Sequence, residues 1–146
     1  MTEMTSNSNL SNPKVIAAQV AQEIPSLRLL VLFGSRAKQK ATEKSDWDLA
    51  ILTHESSTNS WEELALYEKL GHILQVSSDR VDLVNLNHCS PLLGYIVARE
   101  GKLLYETEPE LFLKFQLKAW KIYADTAKFR YAQEDYIHRS LERLKQ

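Results

Sequence analysis

Long apolar runs are missing from this chain of 146 residues, and none approaches the roughly 20 residues needed to span a bilayer. The polar, Ser- and Asn-rich stretch 1–12 has no apolar segment of the kind a secretory signal carries, and a flexible tail is expected there. Cysteine is nearly absent. Cys89 stands alone, so no internal disulfide can form, and a reducing, cytoplasmic setting is expected. The thiol itself reads as small, inert and partly buried. Charge of one sign is also lacking. A formal net charge of −1 leaves the whole chain without an electrostatic footprint for nucleic acid. His54, His72, His88 and His138 show no metal-ligand spacing with one another or with Cys89. No Walker loop, dinucleotide fingerprint, internal repeat or low-complexity block occurs.

What is present suits one compact domain. Asn12-Pro13 reads as a helix start, with Ile16, Val20 and Ile24 on one face and Pro25 as the stop. The apolar run 27–33 predicts a buried strand, and 47–52 predicts a second. Ser60-Trp61-Glu62-Glu63 matches a capping box and opens a helix over 61–76. A third strand is expected over 81–86, a helix from Ser90-Pro91 to Arg99 ended by Gly101, and a short edge strand over 102–105. Residues 110–146 contain no glycine and no proline and predict one or two helices, with a possible break at Asp125-Thr126. The expected fold is therefore α/β (α+β): a small mixed sheet flanked by helices, then a C-terminal helical segment. The expected division is a tail over 1–12, a core over 13–106 and a helical segment over 107–146.

Two short patterns carry chemistry. Gly34-Ser35 follows the first strand. Glycine permits a tight turn and a close backbone approach to phosphate, and the N–H groups after it make an anion cradle. Alone, the pair reads rather as an ordinary turn. Ten residues after Ser35 comes Ser45-Asp46-Trp47-Asp48-Leu49. Acids at i, i+2 on a strand share a face and repel unless protonated or neutralised by a cation. Aspartate is a poor strand former, so two at a strand start need a reason, although a solvated edge supplies one. A third acid, Asp82, sits in the apolar strand Arg80-Val81-Asp82-Leu83-Val84. A buried carboxylate needs a partner or a metal: either Arg80 pairs with it, or it joins Asp46 and Asp48 if the two strands are neighbours. Three such carboxylates would hold two Mg²⁺ ions, with water and triphosphate oxygens completing the shells.

The order Gly-Ser, ten residues, Asp-x-Asp, then an acid in a later strand resembles the DNA polymerase β type of nucleotidyltransferase. More narrowly, Phe33-Gly34-Ser35-Arg36-Ala37 with Ser45-Asp46-Trp47-Asp48-Leu49 is similar to the minimal nucleotidyltransferases, which are paired with a HEPN-domain partner in toxin–antitoxin systems. The resemblance covers roughly 27–106 and implies roles. Gly34 and Ser35, with Arg36 and Ser45, would bind ATP. Asp46, Asp48 and Asp82 would be catalytic and would hold the Mg²⁺ ions. The implied reaction moves AMP from ATP to a tyrosine hydroxyl of a cognate HEPN ribonuclease toxin, releasing pyrophosphate and silencing the toxin. A hetero-oligomer with that partner is implied, without a membrane or direct nucleic-acid role. One departure is visible: many relatives carry a second glycine after the Arg-Ala pair, where this chain has Lys38-Gln39-Lys40. Two other readings stay open. One is a non-catalytic antitoxin that only binds its toxin. The other is a small-molecule, aminoglycoside-type nucleotidyltransferase, for which only about 40 residues remain to build a pocket. The basic, aromatic C-terminal segment fits three roles: packing on its own sheet, on a partner protein, or on nucleic acid.

Overall fold

A computed structural model of the chain describes residues 12–42, 44–54 and 60–145. The tail expected over 1–12 lies outside them except for Asn12, as does most of the loop expected over 53–59. The elements in chain order are α1 (Pro13–Glu23), β1 (Leu27–Phe33), β2 (Trp47–Thr53), α2 (Ser60–Leu74), β3 (Val81–Asn85), α3 (Pro91–Glu100), β4 (Lys102–Glu106) and α4 (Leu111–Lys145). A single 3-10 turn, Ser78–Arg80, leads into β3.

Two of the expected caps form, at Asn12 and Ser90. Asn12 accepts a hydrogen bond from the Lys14 N–H at 3.0 Å, and Pro13 occupies the first turn of α1. Ser90 accepts one from the Leu93 N–H at 3.2 Å and starts α3.

The four strands form one mixed sheet in the order β3-β2-β1-β4. β1 is antiparallel to both β2 and β4, whereas β2 and β3 run parallel. A parallel pair needs a crossover, and α2 supplies it. An irregularity between Leu27 and Leu29 in the β1–β2 register lets Leu27 share a face with Leu30 and Leu32. On that face they meet Leu49 and Ile51, with Ile16 and Val20 of α1 and Leu66, Leu70 and Ile73 of α2. On the other face Leu29, Val31 and Ala50 meet Val97 of α3 and Leu111 and Phe112 of α4. Each fully buried leucine here contributes about 1.5–3 kcal/mol, so the two layers fix the register of the middle strands firmly.

The C-terminal segment is one helix of 35 residues, without a break at Asp125-Thr126. Thr126 stays helical by donating its hydroxyl to the Tyr123 carbonyl at 2.8 Å, one turn back. Gln116 holds α4 to α3 through the Ala98 carbonyl at 2.9 Å, and Tyr123 stacks on Tyr95 with ring centroids 4.0 Å apart.

Candidate active site

The site begins where β1 ends. Gly34 adopts φ +74°, and a Cβ built there would run into the Asp48 carboxylate. Only glycine fits that backbone beside that acid. The chain then makes a helical turn, with the Lys38 N–H on the Gly34 carbonyl at 3.3 Å and the Lys40 N–H on the Ser35 carbonyl at 3.0 Å. This turn leaves Ser35 half-buried at its start, next to the acid-bearing end of the sheet.

Asp48 is the Cα partner of Phe33 on one side and of Asp82 on the other. Neighbouring residues in register project to one face of a sheet, so Asp48 and Asp82 lie side by side. Alternation along β2 sends Trp47, Leu49 and Ile51 to the opposite face, where they enter the core. Asp46, just before β2, is exposed, and Asp48 is half-buried. Burial raises the Asp48 pKa, and the negative charges of Asp82 and then Asp46 raise it further. The three acids therefore feel one another electrostatically.

Asp82 departs from expectation in one respect. The sequence suggested a buried carboxylate, but Asp82 is exposed. β3 is an edge strand, and the sheet face is open to solvent at this end. The cost of burial therefore does not explain this acid, whereas its position beside Asp48 remains. Among the described residues no three His, Cys, Asp or Glu side chains converge into a ready-made metal cage. The acids line an open ledge.

Arg36 and Ser45 take places that their spacing did not suggest. Arg36 donates to the Ser45 carbonyl from Nε at 3.2 Å and Nη2 at 2.8 Å, and its guanidinium lies 4.4 Å from the centre of the Trp47 ring. Arg80 donates to the same carbonyl at 3.0 Å. The Ser45 hydroxyl accepts the Thr42 N–H at 2.9 Å. Two arginines thus hold the entry to the Asp46-Trp47-Asp48 strand. Burial, then the neighbouring Arg80, lowers the Arg36 pKa, and Asp46 partly offsets them. The sequence offered Arg80 only as an ion-pair partner of Asp82, and its place on the Ser45 carbonyl was missed. The β2–β3 register, Trp47 opposite Val81, sets it beside Ser45, and no sequence spacing discloses a register between distant strands.

Lys38 forms an ion pair with Glu100 at 3.1 Å, whereas Lys40 and Lys44 are exposed. Cys89 is half-buried, with its Sγ 3.7 Å from the Leu86 carbonyl and its pKa raised by burial, as an inert thiol should be. Three cavities of about 410, 450 and 280 Å³ are lined by residues other than the acids. The ledge is placed by strand geometry.

Comparison with known proteins agrees with this geometry. The profile of the polymerase beta nucleotidyltransferase family matches residues 16–110. The protein adenylyltransferase MntA of Aphanizomenon flos-aquae is 37% identical over 134 residues, covering 88% of this chain and 89% of the relative. A crystal structure of a toxin–antitoxin with AMP-PNP superposes with a TM-score of 0.68 at 29% identity, covering 87% of this chain and 98% of the other. The structure of a tri-AMPylated Shewanella oneidensis HEPN toxin with its MNT antitoxin gives 0.61 at 28% identity, covering 94% and 99%.

Proposed function

The chain belongs to the polymerase beta nucleotidyltransferase family, and on that premise we propose that it is an antitoxin transferring AMP from ATP to a tyrosine hydroxyl of a cognate HEPN ribonuclease toxin. The observation that carries this reading is the fit of Gly34 under Asp48, with Asp46 and Asp82 on the same ledge. The residues are assigned as follows. Gly34 and Ser35 cradle the triphosphate with backbone and hydroxyl donors. Asp46, Asp48 and Asp82 are the acids that would hold Mg²⁺. Arg36 acts with Arg80 on the Ser45 carbonyl, holding the strand entry in place. Residues 13–106 form the catalytic core, and 107–146 form the C-terminal helical segment that packs on the core or the partner.

The donor set fits Mg²⁺. This ion keeps several waters and takes one or two carboxylates plus phosphate oxygens rather than an all-protein cage. An open ledge of mutually repelling acids, one with a raised pKa, is such a set. When bound, Mg²⁺ supplies charge neutralisation for the triphosphate and the displaced pyrophosphate. The chain's own residues do the rest. The Gly34 turn orients the α-phosphate against the ledge. Asp82, exposed at the strand edge, is within reach of an incoming acceptor and takes its hydroxyl proton. The acceptor oxygen bonds to the α-phosphorus as the bond to the pyrophosphate oxygen breaks, leaving AMP on the tyrosine. The cytosol supplies the ATP and Mg²⁺ that this reaction needs.

The test uses ATP labelled at the α-phosphate, Mg²⁺ and purified cognate toxin. Label is expected on the toxin, and none with the Asp46→Asn/Asp48→Asn variant. Label on a small molecule instead would move the activity to the antibiotic-modifying class. Absence of label despite bound ATP, with the toxin still silenced, would leave an antitoxin that works by binding alone.

A further inference from the structure

The apolar face of α4 continues after the core ends. Leu111, Phe112, Phe115, Ala119 and Tyr123 recur at helical intervals and are buried or half-buried against the sheet and α3. The same side of the helix continues through Phe129, Tyr136, Ile137, Leu141 and Leu144, which are 53% to 82% exposed. α3 has 10 residues and α4 has 35, so α3 covers about 15 Å of a helix about 52 Å long.

The opposite side is polar and largely engaged with itself. Asp135 pairs with Arg139, and Glu142 with His138, both at 3.2 Å and one turn apart. Arg130 instead lies on the stripe's own side, over Tyr123, and donates to Thr126 at 2.8 Å. Residues 128–145 hold five bases against three acids. A membrane surface or a nucleic acid would call for a dense, uncommitted basic face; here bases exceed acids by only two, and Arg130 and Arg139 are already engaged. Mainly aromatic and aliphatic, with Arg130 as its one charged side chain, the stripe has the composition of a protein contact, with Phe129 and Tyr136 as anchors. The structural match to the antitoxin in complex with its HEPN toxin extends over 94% of this chain. Too few residues are left unmatched for that relative to lack the whole free half, 127–145.

Resting on the AMP-transfer reading above, we infer that the second half of α4 holds the toxin, its apolar stripe seated in an apolar groove of the HEPN protein. The contact is separate from the acid ledge. It acts by raising the local concentration of the acceptor hydroxyl at the ledge, as a second binding contact does.

The test is the Ile137→Glu/Leu141→Glu variant of the full chain with purified cognate toxin, beside a Phe129→Ala/Tyr136→Ala variant. All four side chains are exposed in the isolated chain, so circular dichroism should give unchanged melting. Calorimetric affinity for the toxin should fall about 100-fold for the charged pair and about 10-fold or more for the alanine pair. In AMP transfer, KM for toxin should rise by similar factors while kcat at saturating toxin changes less than 3-fold. Toxin affinity within 3-fold of wild type in both variants would overturn the inference. So would a wild-type dimer, seen by light scattering without toxin, that both variants dissociate, since a second copy would then occupy the stripe. Affinity is read without catalysis, so loss of the enzymatic reading and loss of the docking surface give different results.

Discussion

Replacing Gly34 with alanine tests how the turn and the acids depend on each other. At φ +74° any side chain costs about 1–2 kcal/mol from its own backbone. The added methyl also meets Asp48. Turning the carboxylate about its Cα–Cβ bond carries Cγ away with it but leaves Asp48 Cβ 3.2 Å from the added atom. Either the carboxylate swings off the ledge or the strands shift, and both displace the acid. The backbone term lowers the melting temperature by about 2–8 °C for a chain of this size. A displacement on the order of 1 Å at the reacting groups lowers kcat by about 100-fold. Gly101→Ala is the control. Its Cβ would strike the Val97 carbonyl and the Val31 side chain, on the core face and away from the acids. It should lower the melting temperature with much smaller loss of transfer per folded molecule. The assay is AMP transfer to toxin at 20 °C, below both transitions, with folded fraction taken from circular dichroism. Gly34→Ala activity within 3-fold of wild type would refute the coupling. Equal activity losses in the two variants would show that loss of stability, not displacement of Asp48, was being measured.

Protonating Asp48 should silence the ledge at a higher pH than an ordinary aspartate would, because burial and two neighbouring acids raise its pKa. Asp82→Asn removes one of those charges, so the acid limb of whatever activity remains should move to lower pH in a pH–rate profile. Linkage gives the opposite sign for stability. A carboxyl whose folded pKa is raised contributes stability at low pH that is lost as pH rises through that pKa. Asp48→Asn should therefore raise the melting temperature of the metal-free protein at neutral pH while abolishing transfer. A chelator should stop label transfer, and excess Mg²⁺ should restore it in the same sample. Arg36→Ala should cost about 1–3 kcal/mol in chemical denaturation, as expected for charge-assisted hydrogen bonds. Arg36→Ala/Arg80→Ala should cost more than the sum of the single changes, because each single change relieves the repulsion between the guanidiniums and leaves the other arginine on the Ser45 carbonyl.

Period and punctuation made most of the fold legible. The strands, Ser90-Pro91 and the Gly101 stop lie where apolar runs, caps and breakers put them, since local chemistry decides those features. The alternation that sends Trp47 inward and Asp48 to the ledge was legible for the same reason. The exposure of Asp82 was not. An acid in an apolar strand looks the same in sequence whether its strand is central or at an edge, and strand order is a long-range property. The continuous α4 was ambiguous because Asp125-Thr126 is a good cap sequence in isolation. The packed aromatic ladder of Tyr95, Tyr123 and Arg130 runs through that point and holds the helix together. Arg36 and Ser45 form a contact of 2.8 Å that no motif discloses, because the partner is a backbone carbonyl.

The openness of the ledge and the free half of α4 belong to one design. An enzyme for a small acceptor needs walls that exclude water and orient a mobile molecule. Here Asp46 and Asp82 are exposed, and the cavities lie elsewhere on the chain. A protein acceptor brings its own wall: once docked, its surface covers the acids, orders the acceptor hydroxyl and desolvates the nucleotide. Docking energy spent at a distance from the chemistry then holds the acceptor hydroxyl at the ledge and speeds transfer at sub-saturating toxin. On the proposed function, a four-stranded sheet with an open ledge can serve transfer to a protein acceptor. The same economy makes activity toward free small hydroxyl compounds intrinsically poor, because neither the wall nor the tether is present when they arrive.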